Sequence, residues 1–280
     1  MTGQYVPDPG SGLEPPQATA ITGPARISAA FTGRKALVVF LTGGDPDLAT
    51  TEQLILALAQ SGADLIEIGI PFSDPVAEGS VIQAASQRAL AAGCTVDKLF
   101  DLVARIRPRV GVPVLFMTYI NPIFVYGKDR FMKQCASCGV DGVIVPDLPF
   151  EERAELAEVC ARYGIAQISM IAPTSEDRIK AIARQAEGFL YCVSSLGVTG
   201  MRTAISGRVG EMIDQVRQVS DVPCAVGFGI STPEQARAMA HLGDGVIIGS
   251  AIVDLIAGQG RDSLAAVTRF TRAVRVALDQ

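Results

Sequence analysis

From Ala36 onward the chain alternates between two rhythms. Short runs of branched apolar residues, bounded by turn residues, occupy 36–42, 64–70, 112–119, 142–147, 166–173, 189–194, 223–229 and 245–249. Between them lie amphipathic stretches such as TTEQLILALAQSG, SVIQAASQRALAAG and EERAELAEVCARYG. Several of these open on Ser or Thr with acids in the first turn, and several close on glycine, as helices do. Strands that are apolar on both faces and alternate with helices form a parallel sheet covered by those helices. Eight such units predict an α/β protein with a single (β/α)8 TIM barrel. An open doubly wound sheet would carry GxGxxG after its first strand, and VVFLTGGDPDLATT lacks that spacing.

Length agrees with the pattern, since one barrel needs about 250 residues and the chain has 280. Its 49% hydrophobic content, 28 glycines and absence of Trp describe a large core of small and branched side chains. Residues 1–23 are rich in Pro, Gly and polar residues, which predicts a loosely held tail before a barrel at 24–280. A net charge of −5 offers no general field for nucleic acid or acidic membrane, so any phosphate must be held locally. With neither a basic n-region and apolar h-region nor a run of membrane length, the expected location is cytoplasmic. Cys135 and Cys138 form a CxxC, but no second pair or spaced histidine completes a zinc set. They read as two small apolar residues one helical turn apart, and no metal is expected.

A barrel builds its site at the C-terminal ends of its strands. That places Phe40, Thr42, Asp45, Glu67, Asp74, Glu78, Tyr119, Asn121, Asp147 and Tyr191 in the region of interest, followed by Thr199, Gly200, Phe228, Gly229, Gly249 and Ser250. GFGIS after the seventh strand and GSAIV after the eighth put glycine amides, a hydroxyl and a helix start where barrels hold phosphate. The five lysines, at 35, 98, 128, 133 and 180, fall in turns or helices, so none is placed for a Schiff base. The single histidine, His241, lies in the helix before the eighth strand and reads as structural. Carboxylate and tyrosine chemistry remain.

Glu67 interrupts the apolar strand LIEIGI, where an unpaired carboxylate is costly. Burial would raise its pKa toward neutrality and suit it to proton transfer. The alternative is an ion pair with an arginine elsewhere in the chain. Asp74 and Glu78 are open between chemistry and the roles of turn cap and first-turn acid. SSLGVTGMRTAISGR, 194–208, has the composition of a lid or of an ordinary flexible loop.

LIEIGIPFSDPVAEG, LYCVSSLGVTG, VGFGIS and GSAIV, with FLTGGDPD, MTYINPI and VPDLP, together resemble the tryptophan synthase α chain family from about Arg26 onward. The resemblance implies retro-aldol cleavage of indole-3-glycerol phosphate to indole and glyceraldehyde 3-phosphate, without metal or organic cofactor. Glu67 falls on the family's catalytic glutamate and Tyr191 on its active-site tyrosine. Phe40, Tyr119 and Phe228 would line the slot for the indole ring, and Gly200, Gly229, Gly249 and Ser250 match the phosphate site. Thr199 matches the lid threonine that meets the counterpart of Asp74 on closure. The family's β chain, which carries pyridoxal phosphate, contacts the loops bearing Pro71, Asp74, Pro75, Asn121 and Pro149, so an α2β2 heterotetramer is implied. One departure stands out. Glu78 and Ser80 occupy places where the family has aspartate and proline, and misplacing a reacting group by about 1 Å can cost roughly a hundredfold in rate. A stand-alone indole-producing lyase of a secondary pathway, or a weakly catalytic partner of a β chain, are the other readings.

Overall fold

The computed structural model describes residues 22–193, 202–227 and 229–280. Its strands are β1 Ala36–Thr42, β2 Leu65–Gly69, β3 Val114–Met117 and β4 Gly142–Ile144, then β5 Ala166–Ile171, β6 Leu190–Val193, β7 Cys224–Gly227 and β8 Gly245–Ile248. Each pairs in parallel with the next and β8 closes on β1, giving a closed eight-stranded barrel wrapped by helices. Every apolar run of the sequence holds one strand, trimmed where the chain turns into a loop.

Alternation along the strands sorts side chains into two cores. Val38, Phe40, Leu65, Leu115, Ile144, Ile168, Phe189, Ala225 and Ile247 fill the barrel interior. Leu37, Val39, Leu41, Ile66, Ile68, Phe116, Val143 and Val246 face the helices. The helix Gly23–Ala29 begins one residue inside the stretch read as tail and packs on the N-terminal end of the strands. Gly23 donates to the Gly164 carbonyl at 3.1 Å, and a Cβ there would lie 2.0 Å from the Asp141 carbonyl oxygen. Ile27 of the same helix is fully buried under the interior core. This plug leaves the C-terminal end of the barrel for chemistry.

The helix Ile120–Tyr126 was not legible in the pattern, because INPIFVY continues an apolar run. Its start is fixed from outside by Asp147, whose carboxylate accepts from the Ile120 amide at 2.9 Å. Cys135 and Cys138 lie buried in the helix Lys128–Cys138, and burial pushes the Cys138 thiol up to about 11, in keeping with two small core residues.

Candidate active site

Glu67 is the centre of the site. It lies in the middle of β2, in register with Phe40 on β1 and Leu115 on β3, and it is fully buried. Neither carboxyl oxygen has a hydrogen-bond partner, so the ion-pair alternative fails among the described residues. Desolvation alone pushes its pKa from 4.5 up to about 8. At neutral pH the group is mainly a carboxylic acid that can give a proton and take one back. Thr42, two residues beyond Phe40 on the same face of β1, leaves its buried hydroxyl unpaired as well.

Tyr191 of β6 faces the same interior. Burial first, and then the charge of Glu67, push its phenol well above the ordinary tyrosine value, so it acts as a neutral hydroxyl. Gly69 on β2 makes room for the Phe40 ring: a Cβ there would lie 2.6 Å from Phe40 Cζ, whereas one on Gly249, just after β8, would meet Phe40 Cβ in ordinary contact at 3.4 Å. Phe40 is 3% exposed at this end of the interior.

The loop from Pro71 to Gly79 runs over the top of β2. Pro71 is buried, Asp74 exposed, and Pro75 and Glu78 half-buried. Burial raises the Glu78 carboxyl, while the nearby Tyr119 phenol acts in the opposite direction. Tyr119 does more than line a slot: its hydroxyl accepts from the amides of Ala77 at 2.9 Å and Val76 at 3.1 Å. Behind the loop, Asp45 is buried and takes a bidentate pair from Arg88, two bonds of 2.8 Å. Asp45 thus ties the β1 loop to the helix Ser80–Ala91 that follows Glu78. These two ties were missed in the sequence, where Tyr119 reads as an apolar ring and Asp45 and Arg88 stand 43 residues apart.

Across the barrel mouth, Gly229 is exposed with φ +40°, and Gly249 precedes the helix Ser250–Gln259. Gly249 accepts from the Ile252 and Val253 amides, so the Ser250 and Ala251 amides begin the helix ahead of its first bonds. A helix N-terminus of this kind favours an anion. Asn121, in the first turn of the helix Ile120–Tyr126, and Pro149, in the loop after β4, are exposed at this end. Thr199, Gly200 and Phe228 lie outside the described residues. Glu67, Tyr191, Phe40, Tyr119 and Glu78 therefore gather at one end of the barrel, with Gly229, Gly249 and Ser250 on its rim. No group of three or more His, Cys, Asp or Glu side chains suited to a metal occurs among the described residues.

The family described as "Tryptophan synthase alpha chain" matches residues 28–279. The tryptophan synthase alpha chain of Lacticaseibacillus casei is 47% identical over 255 residues, covering 91% of this chain and 96% of the relative. That of Synechococcus elongatus is 51% identical over 242 residues, covering 86% and 91%. Among solved structures, tryptophan synthase subunit alpha from Legionella pneumophila superposes with a TM-score of 0.84 at 37% identity, covering 93% of this chain and 99% of that one. A Mycobacterium tuberculosis tryptophan synthase chain gives 0.83 at 32%, covering 91% and 98%.

Proposed function

As this chain belongs to the tryptophan synthase alpha chain family, we propose that it cleaves indole-3-glycerol phosphate to indole and glyceraldehyde 3-phosphate in tryptophan biosynthesis. The observation that carries the proposal is Glu67, a fully buried carboxyl with two unpartnered oxygens and a pKa pushed up to about 8.

In the retro-aldol step Glu67 delivers its proton to C3 of the indole ring and, once ionised, helps remove the proton from the adjacent side-chain hydroxyl. The bond between C3 and the side chain breaks, its electrons restore the indole ring, and the hydroxyl oxygen becomes the aldehyde. Protonation at C3 places positive charge on the indole nitrogen, and Glu78 is the carboxylate assigned to it. Tyr191 supplies a neutral hydroxyl beside Glu67, while Phe40, Tyr119 and Phe228 wall the flat ring. The phosphate is held by Gly200, Gly229, Gly249 and Ser250, where backbone donors and the helix start supply the attraction.

No resident cofactor is required by this chemistry. A β chain carrying pyridoxal phosphate would dock on the loops with Pro71, Asp74, Pro75, Asn121 and Pro149 in an α2β2 assembly. Val76 on the Pro71–Gly79 loop, and Phe124 and Val125 in the helix that carries Asn121, are exposed apolar side chains, which supports docking there. Thr199 would close the lid by meeting Asp74. Residues 24–280 serve as the working barrel in a cytoplasmic enzyme.

The deciding experiment is indole release from indole-3-glycerol phosphate by the purified chain, with and without a β chain. Turnover is expected, and Glu67→Gln should abolish it; turnover surviving that change overturns the mechanism. Glu78 and Ser80 in place of the family's aspartate and proline favour a second reading, a weakly catalytic barrel that regulates its partner. Absence of indole release even in the complex would select it.

A further inference from the structure

Tyr119 sits at the seam between β3 and the helix Ile120–Tyr126, 2% exposed, with its ring centroid 5.3 Å from that of Phe72. Its hydroxyl accepts two hydrogen bonds from the backbone of the Pro71–Gly79 loop, the Ala77 amide at 2.9 Å and the Val76 amide at 3.1 Å. A phenol oxygen has two lone pairs and one hydrogen. With both lone pairs taken, the hydroxyl has only its proton left to offer. The next residue along the loop is Glu78, and the two side chains sense each other. The phenol lowers the carboxyl pKa against the effect of burial, and the Glu78 charge raises that of the phenol, which burial raises most.

We infer that Tyr119 is a positioning residue for the reaction: the Val76 and Ala77 amides hold its phenol as an obligate donor, and it donates to the Glu78 carboxylate. The inference rests on the reading of Glu78 as the carboxylate that faces the indole nitrogen. One hydroxyl then sets two things together, the height of the backbone at 76–77 from which Glu78 starts and the direction its carboxylate takes. A glutamate has one more torsion to lose than an aspartate, and a fixed donor confines it. Bonds of this kind tighten when substrate completes the site.

Other groups around Glu78 are engaged elsewhere. Asp74, on the same loop, accepts from the Ser73 hydroxyl. From the helix Ser80–Ala91, the Gln83 amide nitrogen donates to the Glu78 backbone carbonyl at 2.8 Å, leaving the carboxylate alone. From β2, the charge of Glu67 acts on Tyr191. Among the described residues, Tyr119 is thus the titratable side chain that acts on the Glu78 carboxyl.

Tyr119→Phe keeps the ring and its contact with Phe72 and removes only the hydroxyl. Val76 is 80% exposed and Ala77 is exposed too, so water can serve their amides and the fold should stand. In the free protein, the Glu78 carboxyl is titrated by carbon NMR, with its signal assigned by loss in Glu78→Gln. Its midpoint should rise by about one pH unit in Tyr119→Phe, the worth of one charge-assisted hydrogen bond. In indole release, kcat should fall about tenfold with KM changed less than about threefold. The acid limb of kcat should move to higher pH, because Glu78 must be ionised. Tyr119→Phe should cost nothing further on a Glu78→Gln background. An unmoved Glu78 midpoint, or penalties that multiply, overturns the inference. If Glu78→Gln alone keeps the full rate, the reading of Glu78 fails, and the NMR midpoint still decides separately whether Tyr119 governs that carboxyl.

Discussion

Gly227 on β7 carries the ring of Tyr191 on β6: a Cβ at 227 would lie 2.8 Å from the ring's Cε1 and 3.2 Å from its hydroxyl oxygen. In the strand register Tyr191 pairs with Ala225 and Val193 with Gly227, so the ring leans along the strand over a residue that has no side chain. The ring keeps this place because nothing at 227 stands in its way.

Gly227→Ala should therefore displace the Tyr191 ring, costing about 1–3 kcal/mol of overpacking and lowering indole release. In Tyr191→Ala the space is vacant, so the added methyl should cost less than half as much there. Urea unfolding of the two single variants and the double variant measures the coupling. Additive losses would mean that the ring does not rest on Gly227.

What the sequence made legible was whatever repeats or interrupts a repeat. Eight apolar runs gave eight strands, and Glu67 was visible because a carboxylate breaks such a run. The groups that adjust the site are of another kind. Tyr119 meets amides 42 and 43 residues earlier, and the Arg88 pair spans 43 residues. Those contacts depend on the path of the loop over β2, which carries no periodic signal. Gly227 was legible as part of VGFGIS, but the ring resting on it belongs to another strand.

Glu67 links stability to pH. Its carboxyl titrates near 4.5 when exposed and at about 8 when folded, so between those values the folded protein holds a proton that the unfolded chain has lost. Its stabilising contribution is complete below about pH 4.5 and declines as pH rises, by at most about 1.4 kcal/mol per unit, until the folded carboxyl ionises near pH 8. Glu67→Gln, neutral at every pH, should remove that slope. Urea unfolding at pH 5 should give similar stabilities for the two proteins, and at pH 8 the variant should be the more stable. Equal slopes from pH 5 to 8 would place the Glu67 titration elsewhere. Stability gained while activity is lost is the usual mark of a functional group held at a cost.

Ser250 tests the phosphate site through charge. It is exposed at the first position of the helix Ser250–Gln259, where an acidic side chain suits the helix dipole. Ser250→Asp should leave the thermal midpoint unchanged or slightly raised, yet raise KM for the phosphorylated substrate by about tenfold or more, since about 1.4 kcal/mol of repulsion suffices. Inhibition by inorganic phosphate should weaken in parallel. A KM that holds while the helix is stabilised would move the phosphate away from this end.

Glu78→Asp asks whether the glutamate is a handicap or a fitted part. Shortening the side chain by one methylene withdraws the carboxylate from the barrel mouth and from the Tyr119 hydroxyl, whose place is fixed by the Val76 and Ala77 amides. The loop backbone does not follow, because those two bonds and the Gln83 bond to the Glu78 carbonyl hold it on both sides. Indole release should therefore fall, by up to roughly a hundredfold for a shift near 1 Å, and the Glu78→Asp protein should lose most of its sensitivity to Tyr119→Phe. Steady-state kinetics on the four combinations of residues 78 and 119 measures this. A rate that rises with aspartate would show that the loop is built for the shorter acid.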